Sequence, residues 1–232
     1  NICYSGVADI FRLPKFSLSF FRTQIAEGSM LPSGKMPYEV FIPAYRDEIL
    51  SDTVMVYGNV DEVELVLNGK TIRRQTADKG PDSDYIPVPN GGNGKNLHFP
   101  PFTFYGVPKE RGVLKAVGYH QGKKVAEYTV KTPGVPERLD ITYFESGKPA
   151  TKNDLLIVYV RMLDKQGVLC PVNGIPVELS VQGGEIVGPT SYPLEAGVAS
   201  FLVRTGEISK INIRATSKEF STYKKIKIKN SL

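Results

Sequence analysis

The sequence predicts an all-β protein, with two tandem immunoglobulin-like β-sandwiches preceded by a short helical segment. Three observations carry this expectation. Apolar residues recur with period two along most of the 232 residues, as where Val63, Leu65 and Leu67 alternate with Glu62, Glu64 and Val66. That is the pattern of strands with one buried face. Turn signals, among them Asn68-Gly69, Gln121-Gly122 and Gly183-Gly184, separate the runs at the spacing of a sandwich. A proline-bounded pentapeptide, Thr132-Pro133-Gly134-Val135-Pro136, reads as a short stiff linker. On either side of it lie about six or seven short strands in roughly 95 residues, the size of one such sandwich.

Residues 1–36 are the only stretch with helical periodicity, and the helix is expected over about 14–26. Pro14 suits a first helical turn, and Leu13, Phe16, Phe20 and Phe21 recur at helical spacing toward Ile25. A lone helix of about a dozen residues is marginal in water. Phe16, Phe20 and Phe21 are therefore expected to form an apolar face for a partner and, if uncovered, a source of self-association. Residues 37–132 form the first expected sandwich. Val54 and Val56 begin one strand, and 63–67 and 70–73 form a hairpin about Asn68-Gly69, both of whose residues a type I′ turn places at positive φ. A second hairpin covers 114–130, and between the two hairpins lies a Pro/Gly-rich insert, 78–102, too long for an ordinary hairpin loop. Residues 133–232 form the second sandwich. Its strands are marked by Leu156, Val158, Val160 and Met162, by Val177, Leu179 and Val181, and by the runs 198–204, 211–215 and 223–228.

Composition narrows the function classes. With 41% hydrophobic and 23% charged residues and a mean hydropathy of -0.17, the chain is neither disordered nor fibrous. No apolar run approaches the ~20 residues of a membrane helix. There is no charged-then-apolar leader, and Asn1 does not look like a natural start, so an export signal of a longer parent is expected outside this chain. Cys3 and Cys170 lie far apart and neither sits in a CxxC pair, so both read as unpaired thiols, and a disulfide-stapled scaffold is excluded. The net charge of +5 resides in 206–232, where seven Lys or Arg face two Glu. Those lysines alternate with Ile226 and Ile228, which marks a solvated strand face that discourages edge pairing. A nucleic-acid surface would want arginines with interleaved aromatics, and this segment holds only Arg214 and Tyr223.

Catalytic chemistry finds little purchase. The two histidines, His98 and His120, are the only imidazoles for a nucleophile–base pair, and with two cysteines in unrelated segments they do not make metal-ligand spacing. No metal and no cofactor is expected. Gly91-Gly92-Asn93-Gly94-Lys95 invites a phosphate-loop reading, but Pro89 and Asn96 stand where that motif needs Gly and Ser or Thr. Glu62 and Glu64 share one strand face and cannot flank a glycosidic bond from converging directions, so they read as the wet face opposite Val63 and Leu65. The remaining constellation is aromatic. Tyr85, His98, Phe99, Phe102, Phe104 and Tyr105 lie in or just after the insert, where packing is the leading reading and sugar stacking or a protein contact the alternatives. Tyr85, His98, Phe99 and Tyr105 are the candidate carbohydrate contacts, although the absence of Trp removes the largest stacking platform.

These residues carry a family resemblance. The stretch 5–16, Ser-Gly-Val-Ala-Asp-Ile-Phe-Arg-Leu-Pro-Lys-Phe, continuing through Phe20, Phe21 and Gln24, resembles the end of the catalytic barrel in family 2 glycoside hydrolases, the β-galactosidase family. Residues 54–56, 59–70 and 112–119 resemble the sandwich that follows the barrel in bacterial members, and 164–167, 177–184 and 197–204 are similar to the C-terminal immunoglobulin-like module of these enzymes and to adhesin modules. The resemblance implies that both catalytic glutamates belong to barrel strands before Asn1, and no residue here matches either. It implies a non-catalytic C-terminal region of a β-galactosidase-like hydrolase, with residues 1–36 the end of its barrel. An upstream catalytic barrel is then the principal partner, met through Phe16, Phe20 and Phe21, and carbohydrate or a second copy of the chain are further ones. The expected location is periplasmic or extracellular. Two other readings are a carbohydrate-binding module using the aromatic insert and a cell-surface spacer, which explains the last domain but not the helical opening.

Overall fold

The computed structural model describes residues 6–44, 51–78, 97–144 and 149–229. These divide into two compact units, Asn1–Thr132 and Pro133–Leu232, and each is a β-sandwich.

The first unit opens with a closed loop. The Asp9 carboxylate accepts the backbone N–H groups of Phe11 and Leu13, both at 2.8 Å, and Lys15 N donates to Val7 O. Residues 7–15 are thereby held out of any helix. Helix α1 (Phe16–Thr23) begins after Lys15, which caps it in an extended conformation. The expected start at Pro14 is corrected for this reason: Pro14 pairs with Ala8 in an isolated bridge, and a residue before proline, here Leu13, disfavours helical backbone. The short hairpin of β1 (Met30–Leu31) and β2 (Gly34–Lys35) follows, then β3 (Val40–Phe41) and β4 (Val54–Gly58).

The remaining strands of the unit are β5 (Glu62–Leu67), β6 (Lys70–Thr76), β7 (Phe102–Phe104), β8 (Val113–His120) and β9 (Lys123–Lys131). They complete two antiparallel sheets, ordered β3-β4-β7 and β6-β5-β8-β9. The alternation of β5 translates directly, since Val63, Leu65 and Leu67 are 0%, 0% and 3% exposed. With Val54, Val56, Phe102, Phe104, Leu114 and Ala116 they form the core between the sheets. Asn68 and Gly69 adopt φ of 50° and 81°, as a type I′ turn requires, and Gln121-Gly122 repeats the arrangement. At Gly118 a Cβ would lie 2.7 Å from Val40 Cγ1, so glycine lets β3 and β8 approach.

The second unit comprises β10 (Pro136–Tyr143), β11 (Leu155–Asp164), β12 (Pro176–Gln182), β13 (Gly184–Ile186), β14 (Ser191–Pro193), β15 (Val198–Thr205), β16 (Lys210–Ser217) and β17 (Phe220–Lys227). Its sheets run β10-β11-β15-β13 and β14-β12-β16-β17, all antiparallel. Val158, Val160, Val177, Val203, Ile211 and Ile213, all fully buried, fill the interior with Phe201. Ile226 and Ile228 point into this core while Lys224, Lys225 and Lys227 remain exposed. The pentapeptide is partly ordered structure: Pro136 already belongs to β10. Among the described residues no helix is long and apolar enough to cross a membrane.

Candidate functional site

In the first unit the sequence-predicted residues gather around helix α1 and the two ends of the insert. At the entry side, Asp78 accepts from the backbone N–H of Thr103 at 3.2 Å and from its hydroxyl at 2.6 Å, while Asp78 N donates to Pro101 O. Gln75 Nε2 donates to Thr103 O at 2.9 Å. These bonds close the neck of the insert onto β6 and β7. At the exit side, Gln24 reaches Phe99 across 75 positions of sequence. Its Nε2 donates to Phe99 O at 3.0 Å, and its Oε1 accepts from Phe99 N at 3.1 Å. The amide thus satisfies both backbone groups of Phe99 as a neighbouring strand would. The His98 ring is exposed and meets the Phe99 ring edge-on at 4.5 Å. Tyr105 follows β7 and is 43% exposed. Tyr85 lies outside the described residues, as do Cys3 and 91–95.

The three phenylalanines of the helix divide between two surroundings. Phe16 meets Phe41 edge-on at 5.6 Å and Phe20 meets Tyr57 at 5.0 Å. Only Phe21 is largely exposed, at 56%. An eight-residue helix cannot stand without tertiary packing, and Phe16 and Phe20, both half-buried, supply it. Two polar devices tie the same region down. Asn59, 3% exposed in the turn after β4, donates to Ile25 O at 2.9 Å and Pro37 O at 3.0 Å and accepts from Glu39 N at 2.6 Å. Arg22 forms a forked ion pair with Glu39, with Nε at 3.1 Å from both carboxylate oxygens. The hydrogen bond to Glu39 raises the guanidinium pKa despite opposing burial. The pair lines an open cleft of about 350 Å³ with Tyr38, Phe41 and Tyr128.

Glu62, Glu64 and His120, singled out in sequence, lie in two sets of surface contacts. Glu62 pairs with Arg74 at 2.6 Å, whose guanidinium lies 3.7 Å from the centre of the Tyr119 ring. Glu64 accepts from the hydroxyls of Thr71 and Tyr119 at 2.6 and 2.7 Å. Those two hydroxyls hold Glu64 below the usual carboxylate range, and the same contact pushes Tyr119 up. Both glutamates are held by partners on β6 and β8, on the sheet face opposite Val63 and Leu65. His120 stacks on Tyr38 at 4.9 Å and its Nδ1 lies 3.1 Å from Asp61. The Gln121 backbone N–H, more than His120, depresses the Asp61 carboxyl.

In the second unit Asp164 organises a buried turn. It accepts from the backbone N–H groups of Gly134 at 2.7 Å, Gln166 at 2.9 Å and Val168 at 2.8 Å. Burial acts to raise its pKa, but the backbone donors prevail and hold it below the ordinary value. Cys170 is a free, buried thiol, pushed up by burial and by the Asp164 charge. Among the described residues no cluster of three His, Cys, Asp or Glu could hold a metal ion. The architecture around α1 suits anchoring and surface presentation: a short helix fixed by aromatic edges, an amide clamp and a buried asparagine. Asn59 and the clamp were not singled out by pattern, because an isolated amide in a turn has no periodicity.

Comparison with known proteins gives a consistent set of similarities. A family model described as a domain of unknown function (DUF4982) matches residues 51–126. A β-galactosidase of Thermoanaerobacter pseudethanolicus is 31% identical over 242 residues, covering 99% of this chain and 30% of the relative. A β-galactosidase of Rhizobium radiobacter is 30% identical over 127 residues, covering 54% of this chain and 91% of that sequence. In fold, the chain resembles the solved structure of a β-glucuronidase from glycoside hydrolase family 2, with a TM-score of 0.76 at 22% identity over 97% of this chain and 23% of that one. The chain spans less than a third of the length of the longer curated relatives it matches.

Proposed function

We propose, because this chain belongs to glycoside hydrolase family 2 as part of its C-terminal region, that it is the non-catalytic support of a β-galactosidase-like enzyme. In this reading a catalytic barrel upstream hydrolyses terminal β-galactosides. Residues 1–36 are the end of that barrel, and the two sandwiches stabilise it and complete the rim of its active site. The observation that carries the reading is helix α1. Its inner side is fixed on β3 and β4, yet Phe21 is 56% exposed, and Ile10 and Met30, in the flanking segments, are 68% and 75% exposed. Exposed apolar side chains of this size, on and beside a helix too short to fold alone, suit a surface that another part of the same enzyme covers. The Thermoanaerobacter β-galactosidase, similar over 99% of this chain, has more than twice as much sequence besides.

The test is removal of residues 37–232 from the longer enzyme. The reading predicts a lowered melting temperature together with a loss of hydrolytic rate on an aryl β-galactoside. A truncated enzyme that is soluble, equally stable and fully active would overturn the supporting role.

A further inference from the structure

The second unit carries an open cleft of about 320 Å³ where the β16–β17 hairpin closes beside the segment that leads into β12. Ser217 and Phe220 are cross-strand partners at the end of that hairpin, and the side chains of such partners lie on one face of the sheet. Here it is the core face, because Ile211, Ile213 and Ala215 precede Ser217 at every second position and are fully buried. Ile175 stands two residues before the buried Val177 and packs against the same core, as Phe220 does. The cleft therefore continues the sandwich interior beyond its last filled layer. Its floor, Ile175 and Phe220, is apolar with one exception. Ser217 lines the cleft at 4% exposure, and its Oγ has no hydrogen-bond partner among the described residues. A buried hydroxyl left unpaired is costly, and native interiors keep few of them.

We infer that this cleft binds one neutral pyranose ring of a glycan, with the apolar face of the sugar on Phe220 and Ile175 and its hydroxyls on Ser217 and the polar rim. The rim holds both signs of charge and both kinds of hydrogen-bonding group. Asn173 accepts from Ala196 N through Oδ1 at 2.7 Å, which leaves Nδ2 as its donor. Lys218, at φ of 31°, and Glu219 form the exposed hairpin turn and add an ammonium donor and a carboxylate acceptor. Donors, an acceptor and a hydroxyl that is both suit a ligand whose polar groups are themselves hydroxyls. An anion would meet the Glu219 carboxylate and a cation the Lys218 ammonium, so a neutral ligand fits this rim better than either. The volume lies at the lower end of small-molecule pockets, roughly 300–1,000 Å³, which suits a single ring rather than a chain of them. Every residue involved belongs to the second unit, and the inference does not depend on the activity of the longer enzyme.

The test is a titration of the 232-residue chain, followed through its backbone amide NMR signals, with methyl β-D-galactopyranoside, methyl β-D-glucopyranoside and, as an ionic control, inorganic phosphate. Saturating shifts at the amides of Ile175, Lys218 and Glu219 are expected with at least one pyranoside, at a Kd of about 1–10 mM for so small and open a cleft. Ser217→Ala is expected to weaken this binding about fivefold or more while leaving the thermal transition of the second unit unchanged or raised, because the hydroxyl it removes has no partner in the chain. A hydroxyl with a purely structural role would do the reverse, lowering the transition and sparing the affinity. Glu219→Ala, on the exposed turn, is expected to weaken binding about threefold or more without moving the transition. No shift with either pyranoside up to about 100 mM, saturation with phosphate alone, or an affinity that both variants leave unchanged would overturn the site.

Discussion

Substitution of Asn59 by alanine is predicted to destabilise the first unit by about 2–4 kcal/mol. The side chain is 3% exposed and satisfies three backbone groups, Ile25 O, Pro37 O and Glu39 N. Each buried group left without a partner costs about 1–3 kcal/mol, and entry of water near the surface relieves part of the sum. For a unit of this size one kcal/mol corresponds to about 3–5 °C in melting temperature, so the first transition is expected to fall by roughly 6–20 °C. Differential scanning calorimetry is the assay, because each unit has its own core and the second transition serves as an internal control. Asn59→Asp sharpens the test. The introduced carboxyl keeps its bond from Glu39 N but faces two carbonyl oxygens, which favours its protonated form and raises its folded pKa above the unfolded value near 3.9. Stability of this variant relative to the wild-type chain is therefore largest below about pH 4 and is lost as pH rises through the folded pKa. A first transition lowered by less than about 2 °C in Asn59→Ala, or a deficit in Asn59→Asp that does not shrink on acidification, would mean that Asn59 does not anchor these three backbone groups.

Two further outcomes follow from the second unit. Asp164→Ala leaves the Gly134, Gln166 and Val168 N–H groups without their acceptor and is expected to cost about 3 kcal/mol, read as a lowered second transition with the first unmoved. Because the Asp164 pKa is lowered in the fold, this contribution is fully present above about pH 4 and disappears as pH falls through the folded value, so wild type and variant should converge in acid. Cys170, 2% exposed with its thiol pushed up, is expected to resist an aromatic disulfide reagent at pH 8 until the unit is unfolded, measured in a Cys3→Ser background. Reaction within seconds in the native chain would contradict its burial.

Most of the fold was legible because burial imposes a period of two. The strands β5, β15 and β16 alternate strongly, and their apolar positions became the core. Elements of two or three residues, β1, β2, β3, β13 and β14, have no room for a period and left no signal. β10 was concealed for a different reason: its Leu139 and Ile141 alternate properly, but its first residue, Pro136, read as the end of a linker. The helix was legible as a cluster of aromatics, whereas its start was not, since the Asp9 loop that displaces Pro14 depends on side-chain bonds that no propensity encodes. The same limit applies to the site. Phe21, His98 and Phe99 stood out by residue type, but the Gln24 clamp and the Asn59 anchor join segments 75 and up to 34 positions apart, and only the folded chain brings them together.

In the function proposed above, this chain supports a glycoside hydrolase without performing the hydrolysis. The most direct test of that function is a rate measurement on aryl β-galactosides, β-glucuronides and β-mannosides with two polypeptides, the 232-residue chain alone and the longer enzyme that carries it. Hydrolysis is expected from the longer enzyme, strongest on the β-galactoside, and none from the 232-residue chain. Hydrolysis by the 232-residue chain, or none by the longer enzyme on any of the three, would contradict that function.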